Sequence, residues 1–381
     1  MSLRLHALHS ARVAAGFSLV ELMVAMTLSL ILLAGALSIL YSTKLTSAEN
    51  ERVARVQEAG RTAFELIRQD ARAAGYVGCA RPQIDPFGNS TFASNTLNNN
   101  GMLWNFASSV YGYDATSLTA WNVALDAAIP ASPAPAGGND ILVLRIAPPG
   151  STVFRTNAFV TGSADIQVDR DPTTALAADT ALVGTPMIIS DCSGAEVFVA
   201  TTVLPVGAIA TVSHATSTGG ASIGNNANTL AHSYQKGALL QPVETVIYYI
   251  ASCTAIGPQC TSLTPPGLWE IVGSGSPQEL IEGVEGMQIT YGVDTDNDLL
   301  ANTYVTADAV TDWTRVVSVN LAILVRSIDE YGTEVDTQRY KLLGGDPVLD
   351  LGGVGARYGP FNDRRSRRVF TTTITLRNST T

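Results

Sequence analysis

Between Phe17 and Leu40 the chain carries a single charged side chain, Glu21, and this stretch constrains the fold more than any other. At 1.5 Å per residue, about 24 residues make roughly 36 Å of helix, enough to cross a hydrocarbon core of about 30 Å. An ionised carboxylate inside that core costs about 2.5–3.5 kcal/mol, so Glu21 needs either a partner or an escape to the headgroups. Arg4, Arg12, His6 and His9 precede the run and no acid does, which predicts a cytoplasmic N-terminus and an exported remainder. A secretory cleavage site follows its apolar core. Residues 41–50, YSTKLTSAEN, offer none, and the small residue instead precedes the core, at Gly16.

The helix is not expected to stop at the membrane. Residues 42–75 contain no proline and one internal glycine, Gly60. Val53, Val56, Gly60, Ala63, Ile67, Ala71 and Ala74 recur at three- and four-residue spacing, which draws one stripe down a helix face. Glu51 with Arg55, and Glu58 with Arg61, set ion pairs on the other face. Gly75 is a natural C-terminal stop. Alanine and glycine at most stripe positions would make a weak zipper, so the stripe is expected to lie on the protein's own sheet.

After Gly75 the period changes. Residues 140–147, 186–191, 196–203, 244–251, 268–272, 285–293, 315–327 and 367–378 are rich in β-branched and aromatic side chains, and no helix-period segment of comparable strength separates them. The expected fold class is α+β, with a long N-terminal helix, transmembrane then amphipathic, packed on a largely antiparallel β-sheet globular domain. Residues 87–101, 130–139 and 213–229 read as loops from their Asn/Ser/Thr, Pro/Gly and small-polar composition, the last of them as a mobile one.

The formal net charge is −10 over 381 residues, which argues against nucleic acid as a main partner. Four cysteines, Cys79, Cys192, Cys253 and Cys260, show no CxxC spacing and no companion histidines. They read as two disulfides in an oxidising compartment, with three pairings open. Asp294, Asp296 and Asp298 offer oxygens at the first, third and fifth positions of a calcium loop. The sixth position is Leu299 and the twelfth Val305, where glycine and glutamate belong, so a polar turn is the preferred reading and no cofactor is expected. GASIG at 220–224 formally matches a nucleophile elbow around Ser222, with His214 and His232 nearby, but it lacks the flanking strand and helix. No enzyme is expected. Arg364, Arg365, Arg367 and Arg368 read as a solvated turn entering the last strand, their stems covering the sheet.

The stretch GFSLVE (16–21), with its following apolar run, resembles the class III leader of type IV prepilins and pseudopilins. The resemblance implies cleavage by a prepilin peptidase between Gly16 and Phe17, N-methylation of Phe17, and pairing of Glu21 with the Phe17 amine of a neighbouring subunit. Later stretches resemble PilW-type minor pilins: AGYVGC (74–79), ISDCSGAEVFVA (189–200), GVEGMQITYGVDTDND (283–298), DWTRVVSVNLAILVRS (312–327) and RRVFTTTITLRN (367–378). That likeness implies a minor component of a type IV pilus, priming assembly or sitting at the fibre tip with other minor pilins and the major pilin. The alternatives are a type II secretion pseudopilin and a tip adhesin or ligand-binding module. It further implies Cys79–Cys192 and Cys253–Cys260 pairing. The expected organisation is a leader at 1–16, a transmembrane half-helix at 17–41, an amphipathic half-helix at 42–75 and a β-rich domain at 76–381. The expected location is the bacterial inner membrane with the domain periplasmic, then the fibre.

Overall fold

The computed structural model describes residues 18–78, 92–93, 97–98, 101–170, 182–217, 223–253, 264–330, 334–343 and 358–378. The chain divides into two compact units, Met1–Val53 and Ala54–Thr381. One helix, α1 (Leu19–Ala73), runs for 55 residues, as the unbroken periodicity predicts. Within the first unit its apolar side chains, among them Leu19, Leu30, Ile31, Leu32 and Ile39, are exposed, and the stretch is long and apolar enough to cross a membrane. Thr27, Ser29, Ser38 and Thr43 return their hydroxyl hydrogens to carbonyls three or four residues back, so these polar groups are satisfied inside the helix.

Among the described residues, the second unit is built from α1's last turns and seventeen strands. In chain order these are β1 (Phe92–Ala93), β2 (Val110–Tyr113), β3 (Ile141–Ile146), β4 (Phe154–Thr156), β5 (Ile166–Asp169), β6 (Pro186–Asp191), β7 (Gly194–Val199), β8 (Thr202–Val206), β9 (Ile209–Ser213), β10 (Leu239–Pro242), β11 (Glu244–Ala251), β12 (Gly267–Val272), β13 (Gln278–Glu282), β14 (Val284–Val293), β15 (Thr303–Val305), β16 (Val316–Arg326) and β17 (Arg367–Thr375). They form three sheets, ordered β1-β7-β6-β10-β4-β5-β9-β8, β13-β12-β11-β3-β2 and β15-β14-β16-β17. Every pairing is antiparallel except β1 with β7. The largely antiparallel β-sheet domain expected beside the helix is thus divided into three sheets. Strands such as β4, β5 and β10, three or four residues long, are too short for periodicity to register.

The stripe on α1 buries Val56, Gly60, Ala63, Phe64, Ile67 and Ala71 against Leu142, Leu144, Tyr248, Met287, Leu321 and Ile323 of the five- and four-stranded sheets. Gly60 is small because a Cβ there would stand 2.6 Å from the Phe370 ring, which meets Phe64 edge-on at 6.4 Å. The helix stops where Gly75 adopts φ +72°. Gly75 donates its N–H to the Arg145 carbonyl, and the Asn378 amide donates to the open carbonyls of Arg72 and Ala74, each at 3.2 Å. The eight-stranded sheet has a separate core around Ile166, Met187, Phe198, Val212 and Leu240.

Two expectations about the domain need correction. Of the segment read as a mobile loop, residues 213–217 and 223–229 are described, and they are tied down. Asn225 is buried, accepts the Val199 N–H at 2.8 Å and donates to the Val199 and Ala215 carbonyls. The arginine run is likewise not a solvated turn, as its ion pairs show below.

Candidate functional site

Gly16, Phe17, Cys79, Cys260 and Ser222 lie outside the described residues. Glu21 occupies the first turn of α1 and is the only acid among the apolar residues of that half. Cys192, one residue past β6, and Cys253, two past β11, are not free thiols.

The acidic knot closes the connection between β14 and β15. Carboxylate oxygens of Asp294, Asp296 and Asp298 come within 4.8 Å of one another. Asp294 nevertheless spends both oxygens on the turn: Oδ1 accepts the Asp296 and Asn297 N–H groups at 3.1 and 2.7 Å, and Oδ2 accepts Leu299 N–H at 2.8 Å. Asp298 accepts Leu300 N–H at 2.8 Å. These bonds account for Asp294 and Asp298 as turn-formers. His214 is buried beside Phe198 with Nε2 3.0 Å from the Ala164 carbonyl, so it packs a core.

The arginines divide. Arg364 and Arg368 are exposed, whereas the Arg367 side chain is fully buried. It reaches Glu285 at 2.8 Å, Asp336 at 2.9 Å and Asp363 at 2.6 Å, with its guanidinium 3.7 Å above the Phe361 ring. Arg326 shares Glu285 at 3.4 Å, and Arg365 joins Asp363 to Glu330. The network fastens residues 334–343 and 358–366 to β14, β16 and β17.

Three polar centres escaped the sequence reading. Arg145, on β3, is buried and donates to the Ser108 carbonyl and hydroxyl and to the Met102 carbonyl. Burial pulls its pKa down to about 10, against the neighbouring Tyr111 and Tyr113 phenols. Asn139 and Asp140, just before β3, bond across to β14. At the helix–sheet seam the Tyr248 hydroxyl donates to Asp70 at 2.6 Å and also meets Glu270. Asp70 stands one position from the apolar stripe and Tyr248 inside an apolar strand, and no short spacing in the sequence links them.

Burial raises the carboxyl pKa of Asp70, Glu244 and Glu270, and repulsion among the three raises those of Glu244 and Glu270 further. Tyr248, on the β11 side, meets Asp70 and Glu270 through its hydroxyl. A raised carboxyl pKa means the folded state holds the proton better than the unfolded one. The stabilising effect is therefore fully present below the unfolded value of about 3.9–4.3 and is lost as pH rises through the folded one. Asp70→Asn keeps an acceptor for Tyr248 and removes a charge. Its thermal midpoint should exceed the wild type's by about 2 °C at pH 7.5 and match it near pH 4. Melting curves across that range check this, and an Asp70→Asn advantage that grows on acidification would refute it.

Two family matches overlie these features. The prokaryotic N-terminal methylation motif matches residues 12–37, a window holding Gly16, Phe17, Glu21 and the start of α1. The PilW family, type IV pilus-assembly protein W, matches residues 247–378, from within β11 to just past β17. No individual curated protein matches the chain. A methylation motif opening a membrane-length apolar helix, an α+β body with antiparallel sheets and the PilW match over its later part together point to a structural component of a pilus. Within that class the chain is a PilW-like type IV minor pilin, and its function lies in pilus assembly.

Proposed function

We propose that the chain is cut by a prepilin peptidase between Gly16 and Phe17, is N-methylated at Phe17, and primes pilus assembly as one of the initiating subunits at the fibre tip. Residues 1–16 are then the leader, 17–41 the span of the inner membrane, 42–75 the amphipathic half-helix and 76–381 the periplasmic domain. The observation that carries this reading is the methylation-motif match across residues 12–37, on the stretch where Glu21 is the lone acid of an exposed apolar helix. A carboxylate in lipid needs a counter-charge. Cleavage creates one on each subunit, the Phe17 amine, and axially offset packing brings Glu21 of one copy to the amine of the next subunit. Other minor pilins and the major pilin are the partners this implies.

Disulfides Cys79–Cys192 and Cys253–Cys260 complete the proposal. Gly78 packs so closely on β6 that a Cβ would stand 3.1 Å from Ser190 Cβ, which brings the chain next to Cys79 alongside the strand that leads to Cys192. Thr264 bonds back to Cys253, its N–H donating to the Cys253 carbonyl and its hydroxyl accepting the Cys253 N–H, so the two ends of the stretch that contains Cys260 are held together.

Mass spectrometry of the N-terminus of membrane-extracted protein should find N-methyl-phenylalanine, and Gly16→Glu should leave the chain at full length. Glu21→Ala should be cleaved and yet lose incorporation by about 100-fold, the equivalent of a buried pair worth about 3 kcal/mol. An uncleaved wild-type chain in cells that bear pili, or normal incorporation of Glu21→Ala, would end this reading.

A further inference from the structure

Six strands end the three sheets, and among the described residues five of their edges are blunted. β1, β15 and β2 have two to four residues, and Trp313 lies over β2 at Tyr111. β8 has Pro205 at an outward position, where it offers no N–H. β13 carries Glu279 and Glu282 and faces a register shift at Leu268/Trp269. These are the usual devices against strand addition. β17 lacks these devices beyond its first two residues, Arg367 and Arg368. It is nine residues long, or about 30 Å, with no proline, glycine, acid or bulge.

The register fixes what that edge displays. Leu376 N–H donates to the Val317 carbonyl and Ser327 N–H to the Ser366 carbonyl, and both pairs lie on the β16–β17 register. Antiparallel positions alternate, so Arg368, Phe370, Thr372 and Ile374 bond to β16. The main chains of Val369, Thr371, Thr373 and Thr375 then point away from the sheet, and among the described residues none of them has a hydrogen bond there. The side chains of Thr371, Thr373 and Thr375 are exposed. Phe370, half-buried, lies on the opposite side beside Phe64. At the strand's start Arg364 and Arg368 are exposed, with no ion pair among the described residues.

We propose that β17 is completed by an extended segment of a different pilus subunit, which adds as a fifth strand to the four-stranded sheet. The required chemistry follows from the edge: apolar residues alternating with small polar ones, to continue the Phe370 and threonine faces, and a carboxylate opposite Arg364 and Arg368. A second copy of this chain fits worse. Arg367–Thr375 contains no acid to meet those arginines, and each copy carries net charge −10.

This proposal rests on the pilus-assembly reading, and the test separates the two. Thr373→Pro removes an outward N–H and leaves the β16 pairing intact, whereas Thr373→Val keeps the edge. Both full-length proteins should melt alike in detergent. Surface pili should fall about tenfold with proline, the effect of losing one or two main-chain hydrogen bonds at a strand–strand contact, and stay normal with valine. In wild-type protein, the amides of Val369, Thr371, Thr373 and Thr375 should exchange quickly when the chain is isolated. They should slow in membranes that contain the other pilus subunits. Normal piliation with Thr373→Pro, or equal exchange in both states, overturns the strand proposal. So does protection that appears in the isolated chain, whether concentration-dependent (a second copy) or not (the chain's own cover). Normal piliation after deletion of the whole chain would instead overturn the assembly reading.

Discussion

An Arg367→Met chain is expected to lose about 3–5 kcal/mol of folding stability, the cost of breaking a buried ion pair by removing one partner. Methionine fills much of the vacated volume, so the loss is mainly electrostatic. The Arg367 side chain is wholly inaccessible, and it faces Glu285, Asp336 and Asp363, whose side chains are 8–17% exposed. Without the guanidinium these three carboxylates are left in a poorly solvated space. Arg326 and Arg365 still reach Glu285 and Asp363, which is why collapse is not expected. Urea titration of the full chain in detergent measures the effect. A midpoint unchanged from wild type would mean that the network contributes nothing net.

The pH dependence of that variant is a second reading of the same site. In the wild type, hydrogen bonds from Arg367 outweigh burial and hold the Asp363 carboxyl well below the usual carboxylate range. Its contribution is therefore present above the unfolded value of about 3.9 and is lost as pH falls through the folded value. In Arg367→Met the largest of those bonds is gone, and burial is left to favour protonated Asp363 against the bonds from Arg365 alone. The deficit should be largest near neutrality and shrink toward pH 4. A deficit constant across that range would place the lost energy in packing.

How much of this was legible depended on distance along the chain. Gly16, Phe17 and Glu21 are separated by fixed covalent spacing, so the leader could be read directly, and the α1 stripe repeats every three or four residues. The eight strands read from sequence are those with enough β-branched and aromatic side chains to show a pattern. β9, with IATVS between turn residues, and β13, whose QELIE suits a helix as well as a strand, gave no such signal. The arginine run was visible as a run. Its division into exposed Arg364 and Arg368 and buried Arg367 depends on Glu285 and Asp336, which lie 82 and 31 positions away. Alternation along β17 was readable, but which of its residues turn their main chain outward depended on the β16 register. Asp140 was read as the first residue of a strand, with nothing local to reveal its partners.

Those partners make Asp140→Ala the other substitution expected to do large damage, about 2–4 kcal/mol. Asp140 is buried. Its Oδ1 accepts the Ala115 N–H at 3.0 Å and its Oδ2 the Ile289 N–H at 2.8 Å. Its own N–H donates to the Met287 carbonyl. Beside it, Asn139 accepts the Met287 N–H at 2.8 Å and the Tyr358 hydroxyl at 2.9 Å. Two consecutive side chains thus supply acceptors that a neighbouring strand would otherwise give β14, and they join the five-stranded sheet to the four-stranded one. Alanine at 140 leaves two buried donors unmet, each costing about 1–3 kcal/mol. Asparagine restores one acceptor but turns an NH2 toward the second donor, so Asp140→Asn should fall between wild type and alanine. Thermal melts rank the three, and amide exchange locates the defect: Ala115 and Ile289 should lose protection in the alanine variant while β6 and β7, in the other sheet, keep theirs. If asparagine proved worse than alanine, the carboxylate's charge would matter more than its two acceptors, and the junction would be electrostatic instead of a pair of borrowed strand bonds.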